Sequence, residues 1–281
     1  MGRRFALALS LLGCALSLSS LPAAAKERIV SIGPATTELI LALGGEQSLV
    51  ATDVSSPEPR GVPKVGYHRA LAAEGILSLS PTLVVGSDEM GPNSTLDQLR
   101  RANVKVEVMA TAPTLANLNE RIDTLAHLLG DQTAGSKLKE EIAAQSDTLA
   151  AQAKQNKPLK VAFLLLHKGQ PTSIAGGNTT ASALVTLAGG VNPVAGLHDY
   201  KPVSTESLIE LQPDLVLVSG RDWQQYQDPA SVLGQVPALE ATPAGKRGAI
   251  HAIDGHALQG GLSLRSLQQA NQIAQWIKQG S

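Results

Sequence analysis

Residues 74–87 read Glu-Gly-Ile-Leu-Ser-Leu-Ser-Pro-Thr-Leu-Val-Val-Gly-Ser, and residues 206–219 read Glu-Ser-Leu-Ile-Glu-Leu-Gln-Pro-Asp-Leu-Val-Leu-Val-Ser. The second stretch begins 132 residues after the first (74 to 206), and Glu74/Glu206, Leu79/Leu211, Pro81/Pro213, Leu83/Leu215, Val84/Val216 and Ser87/Ser219 are identical. Each copy reads as a short helix, a Pro break and a buried strand rich in β-branched residues. Two Pro-initiated buried strands resemble each other for packing reasons alone. The glutamate at equal spacing and an echo between Thr36-Thr37 and Thr179-Thr180, each pair opening a helical run closed by Gly-Gly, favour an internal duplication.

Outward from the first copy, strand patterns at Arg28–Ile32, Ser48–Asp53, Leu83–Ser87 and Lys105–Ala110 alternate with helical patterns at Leu39–Leu43, Ser94–Ala102 and Thr114–Leu129. The order strand, Gly33-Pro34 turn, helix and Gly44-Gly45 stop predicts an N-capped first helix. Alternation of this kind predicts an α/β fold with a parallel or mixed sheet. From Thr133 to Lys157 the chain turns to Ala, Lys, Glu and Gln, with Leu138, Ile142 and Leu149 at helical spacing, which predicts one long amphipathic helix ended by Pro158. A second α/β series opens at Leu159–Leu166. The expected architecture is two similar Rossmann-like lobes, residues 26–132 and 158–281, joined by a single long backbone helix at 133–157. Ligands favour the cleft between such lobes and the ends of their parallel strands.

The first 25 residues place Arg3 and Arg4 before an apolar run from Phe5 to Leu18 and a small-residue site at Ala23-Ala24-Ala25. That is the layout of a secretory signal, and it predicts export to the periplasm. Leu11-Leu12-Gly13-Cys14 also resembles a lipoprotein cleavage site, which would leave an anchor on Cys14. Cys14 is the only cysteine, so a chain starting near Lys26 forms no disulfide. With 23 basic and 24 acidic residues the charge is balanced, and nothing in it argues for nucleic acid.

Tyr67, one of only three tyrosines, lies in Gly66-Tyr67-His68-Arg69. Gly66 permits a turn that presents the side chain. A phenolate is a hard oxygen donor suited to ferric iron, and the guanidinium of Arg69 would favour the ionised form. From spacing alone the ordinary reading of Tyr67 is a rim tyrosine with its hydroxyl in water. No Gly-x-Ser-x-Gly elbow, phosphate-binding Gly-x-x-x-x-Gly-Lys or His-Glu-x-x-His helix is present, so the residues offer no enzyme signature.

Through Ser31–Glu38, Gly66–Arg69 with Ala73–Pro81, Leu187–Asn192 and Tyr200–Ser204, the chain resembles the haem-binding substrate-binding proteins of bacterial ABC importers. They sit within a class that also takes cobalamin and ferric siderophores. The resemblance covers essentially the whole chain after the signal, and the Gly-Tyr-x-Arg loop is its specific part. It implies haem as the transported ligand, with Tyr67 as axial ligand to its iron and Arg69 supporting the phenolate. His167 falls where some relatives ligate a second haem, although Lys168-Gly169-Gln170 departs from the usual Gly-Gly. Arg221 corresponds to an arginine that approaches the ligand from the second lobe, and Tyr200, placed before Glu206 much as Tyr67 is before Glu74, is an expected haem contact. Glu74 and Glu206 match carboxylates that dock on the permease, although first-turn carboxylates also serve helix dipoles. The expected partners are haem, an inner-membrane permease with its ATPase, and an outer-membrane haem receptor upstream, with the protein itself a monomer. A siderophore or cobalamin binder is the nearer alternative. An exported enzyme is the farther one.

Overall fold

The computed structural model describes residues 27–57, 59, 61–167, 169–219 and 228–280. Ile29–Ile32 forms strand β1, buried along its whole length as an inner strand of a parallel sheet is. Gly33 follows with φ of 94°, a backbone angle that a residue without Cβ adopts without strain. Helix α1 (Pro34–Ala42) starts on a proline whose fixed φ suits the first helical position. The expected side-chain N-cap is not used, because Gly33 occupies that place.

Strand β2 (Leu49–Thr52), helix α2 (Ala73–Leu77), strand β3 (Leu83–Ser87), helix α3 (Asn93–Arg101), strand β4 (Lys105–Met109) and helix α4 (Leu115–Leu129) complete the first lobe. Its sheet has the order β2-β1-β3-β4 and all its pairs are parallel. Gly130 then takes the left-handed conformation, and Asp131 caps helix α5 (Gln132–Gln155) by accepting from the Ala134 N–H at 2.9 Å. Helix α5 has 24 residues, so it runs for about 36 Å. Leu138, Ile142 and Leu149 are buried, as their spacing requires. Gly135 lets α5 approach α4 closely, since a Cβ there would lie 2.6 Å from that of Ala126.

The second lobe runs through β5 (Val161–Leu165), β6 (Ser173–Ala175), α6 (Thr180–Leu187), β7 (Tyr200–Pro202), α7 (Thr205–Leu211), β8 (Leu215–Ser219), α8 (Pro229–Gln235), α9 (Pro243–Arg247), β9 (Ile250–Ile253) and α10 (Leu264–Gly280). Its sheet order is β7-β6-β5-β8-β9, with β5, β8 and β9 parallel and β6 and β7 antiparallel. The repeated sequence occupies matching places. β3 lies between parallel β1 and β4, and β8 lies between parallel β5 and β9. Both strands are thus enclosed by neighbours and covered on both faces, which accounts for the shared apolar Leu-Val core. The threonine echo does not carry over. Thr179 caps α6, accepting from the Ser182 N–H at 3.2 Å, whereas Thr37 lies inside α1, its hydroxyl 2.7 Å from that of Ser31.

The long helix joins the two lobes as expected, and the lobes also share a core. One hydrophobic cluster runs from Leu39, Leu83 and Ile122 through Leu138, Ile142 and Leu149 to Val161, Phe163, Leu184 and Ile277. Helix α10 packs on α1, α5 and α6. The facing sides of the two sheets therefore bury their apolar helices against each other, while each outer face has its own cluster, around Ile76 and Leu99 in one lobe and Leu208 and Val218 in the other.

Candidate binding cleft

The C-terminal ends of the parallel strands of both lobes open into one cavity. Its volume is about 440 Å³, and Tyr67, Arg69 and Glu89 line it from the first lobe, opposite His167, Tyr200 and Gln259 of the second. Leu165 and Leu258 supply apolar wall.

Backbone pairing delivers Tyr67 to this position. The segment before it runs beside the end of β2, with the Val65 N–H donating to Thr52 and the Val54 N–H to Gly66, each at 2.9 Å. Gly66 has φ of 99°, and the Ala70 N–H closes the turn on the Tyr67 carbonyl at 2.8 Å. Tyr67 is 38% exposed and its ring packs on His68 at a centroid distance of 4.2 Å. Among the described residues its hydroxyl has no hydrogen-bond partner.

Beneath Tyr67 lies a chain of polar contacts that begins at buried Asp53. One Asp53 oxygen accepts from the Gly33 N–H at 2.8 Å and the other from the Ser55 N–H at 3.1 Å, while the hydroxyls of Ser55 and Ser56 also donate to it. Burial pushes the Asp53 carboxyl up, but hydrogen bonds from His68, Ser55, Ser56 and Gly33 outweigh it and leave the value at about 2. His68 Nδ1 is 3.1 Å from the Ser55 hydroxyl and 3.6 Å from Asp53. Arg69 Nε donates to His68 Nε2 at 3.3 Å, so the imidazole proton belongs on Nδ1. Arg69 Nη2 then donates to Glu89 at 2.7 Å.

This arrangement refines the expectation for Arg69. Its guanidinium lines the same cavity as Tyr67 but is bonded to Glu89 and His68 rather than to the phenol. Glu89 itself escaped the sequence reading. Its signal was position, in the loop just after a parallel strand, where ligand-facing residues gather. Gln259 and Leu258 escaped for a different reason, because nothing in their composition marks a loop brought to the cleft by α10.

Tyr200 faces the same cavity, on edge strand β7 rather than in the expected loop. Burial raises its phenol to about 12 and the charge of Glu89 adds to the effect. It therefore remains protonated at neutral pH, with a hydroxyl able to donate a hydrogen bond. His167 lies just beyond β5 in the cavity wall. Arg221 lies outside the described residues, as do Cys14 and the expected signal segment. Glu74 and Glu206 stand apart from the cleft, each the second residue of its helix and each exposed.

The Asp53 network has a consequence for stability. A carboxyl held at about 2 in the folded chain, against 3.8 ordinarily, stabilises the fold above pH 4 and loses that contribution as pH falls toward 2. The difference corresponds to roughly 2 kcal/mol. Urea unfolding of the parent and of Asp53→Asn between pH 5 and pH 2 should show the parent losing roughly that much more stability than the variant. Parallel curves would remove Asp53 as the anchor of the site.

Comparison with known proteins gives a consistent family. The profile described as periplasmic binding protein matches residues 29–257. The crystal structure of the periplasmic haem-binding protein HutB of Vibrio cholerae is similar at 49% identity and a TM-score of 0.85, over 89% of this chain and 98% of that one. The periplasmic haem-binding protein RhuT from Roseiflexus sp. RS-1, in its apo form, is similar at 34% identity and a TM-score of 0.84, over 91% and 99% of the two chains. A vitamin B12-binding protein of Yersinia pestis (strain Pestoides F) is 30% identical over 214 residues, 74% of this chain and 75% of its own length.

Proposed function

This chain belongs to the periplasmic binding protein family, and from that premise we propose that it binds haem in the periplasm and delivers it to an inner-membrane ABC transporter. The observation that carries the reading is Tyr67, a phenol presented on a glycine turn into the inter-lobe cavity with its hydroxyl unengaged by the described residues. Iron already held by a porphyrin needs only an axial donor, and a phenolate suits the ferric state. The 49% identity to a haem-binding protein over nearly the whole chain supports the same ligand.

In this reading Tyr67 is the axial ligand. Arg69 supports the ligand from the same loop, its guanidinium held in place by His68 and Glu89. Leu165 and Leu258 pack on the macrocycle, and Tyr200 contributes a protonated hydroxyl from the opposite wall. His167 is the residue placed to ligate a second, stacked haem, and Arg221 is assigned to a propionate. Glu74 and Glu206 contact the permease. The protein acts as a monomeric carrier, supplied by an outer-membrane haem receptor, and performs no catalysis of its own.

Cobalamin is the second reading, favoured by the vitamin B12-binding relatives. Parallel titrations with hemin and cyanocobalamin separate the two. Hemin should produce a Soret band and the charge-transfer absorption of high-spin ferric tyrosinate, saturating at one or two equivalents. Saturable binding of cyanocobalamin without a hemin spectrum would replace haem with the corrinoid.

A further inference from the structure

One wall of the cleft is held from behind by a residue that does not line it. Arg121, in the middle of α4, is 2% exposed. Its Nη1 donates to the Gly260 carbonyl at 2.7 Å and its Nη2 donates to the Leu262 carbonyl, so one guanidinium grips the same turn twice across more than a hundred residues of chain. Among the described residues no carboxylate is hydrogen-bonded to it. The acid whose charge acts on it, Asp88, has its oxygens engaged by the N–H and hydroxyl of Thr111. Burial draws the Arg121 guanidinium down to about 10, with Asp88 opposing, so it stays charged at neutral pH.

A buried cation without a bonded counter-ion is an expensive way to fill space that methionine or leucine would fill at lower desolvation cost. What the arginine adds is geometry, because its planar fork fixes two carbonyls at once. Those carbonyls belong to a turn through Gly260 and Gly261, with φ of 78° and 79°. The residues just before the turn, Leu258 and Gln259, line the cleft. A Cβ on Gly260 would lie 3.3 Å from Ala35 of α1, so the turn sits directly against the first lobe. Beyond the turn, Arg265 pairs with Asp254 at 2.7 Å and reaches Glu38 of α1 at 3.8 Å.

We propose that Arg121 is a positioning residue for ligand binding: it clamps the Gly260–Leu262 turn of the second lobe to α4 of the first, fixing both the angle between the lobes and the place of Leu258 and Gln259 in the cleft. The effect on haem rests on the function proposed above. The effect on lobe geometry does not.

The test uses that independence. A chain beginning at Lys26 contains no cysteine, so Glu74→Cys and Glu206→Cys accept one spin label in each lobe. Pulsed electron resonance on the unliganded protein should give a narrow inter-lobe distance distribution, a broader one with Arg121→Met, and an intermediate one with Arg121→Lys, which keeps the charge but not the fork. In unlabelled protein, hemin should leave the Arg121→Met variant about tenfold faster than the parent, with the tyrosinate charge-transfer band unchanged. A distribution for Arg121→Met that superimposes on the parent overturns the clamp. Should that variant fail to fold, the same criterion applies to Arg121→Lys. A parent that binds no hemin, together with a broadened variant distribution, would leave the clamp standing and remove the haem reading.

Discussion

Tyr67→Ala is expected to weaken hemin binding by roughly 100-fold or more, since loss of supporting partners around a metal ligand already costs ten- to a hundredfold. The charge-transfer absorption of ferric tyrosinate should disappear with it, because alanine leaves the iron without a phenolate. The fold should be unaffected. Tyr67 is substantially exposed and belongs to none of the buried apolar clusters, so the melting temperature of the ligand-free variant should match the parent. Tyr67→Phe sharpens the result by keeping the ring and removing only the oxygen. Unchanged hemin affinity in both variants would remove Tyr67 as principal ligand and turn attention to His167.

The second large effect concerns delivery. Glu74→Ala combined with Glu206→Ala should leave hemin affinity within about twofold of the parent while reducing stimulation of the transporter ATPase by roughly tenfold or more, as expected when charges at a recognition surface are lost. The two carboxylates are exposed at the same position of corresponding helices. In α7 the N-cap is already supplied by Ser204, which accepts from the Ser207 N–H at 3.1 Å, so Glu206 is not required there as a cap. Its carboxyl is held below the ordinary range by a hydrogen bond from its own backbone N–H and by Ser204, and is ionised at neutral pH. Stimulation of the parent should weaken with added salt. Loss of hemin binding in the double variant would instead move these carboxylates into the pocket.

Local order was legible wherever periodicity and punctuation agreed. β1, β3, α4 and α5 fall within two residues of their expected ends because apolar runs, Gly130, Asp131 and Pro158 mark them. β6 and β7 were missed. Each has three residues, and Tyr200-Lys201-Pro202 ends on a proline that belongs only at a sheet edge. In the cleft, Tyr67 was singled out by resemblance rather than by spacing, and it lines the cavity. Glu89 and Gln259 were not singled out, because an acid after a strand and a glutamine before a glycine pair have no distinctive spacing.

By itself the sequence determined the α/β class, the doubled unit around β3 and β8 and the long helix between the two series, since all three depend on short-range patterning. Only the tertiary structure decided which side chains meet. Arg69 turning to Glu89, Tyr200 facing Glu89 across the cleft and Arg121 gripping Gly260 and Leu262 join residues from about twenty to more than a hundred positions apart. The physical reason is that burial and hydrogen-bond satisfaction are properties of the packed chain. A guanidinium selects among carboxylates and carbonyls by distance and desolvation, and neither quantity exists until the two lobes share a core.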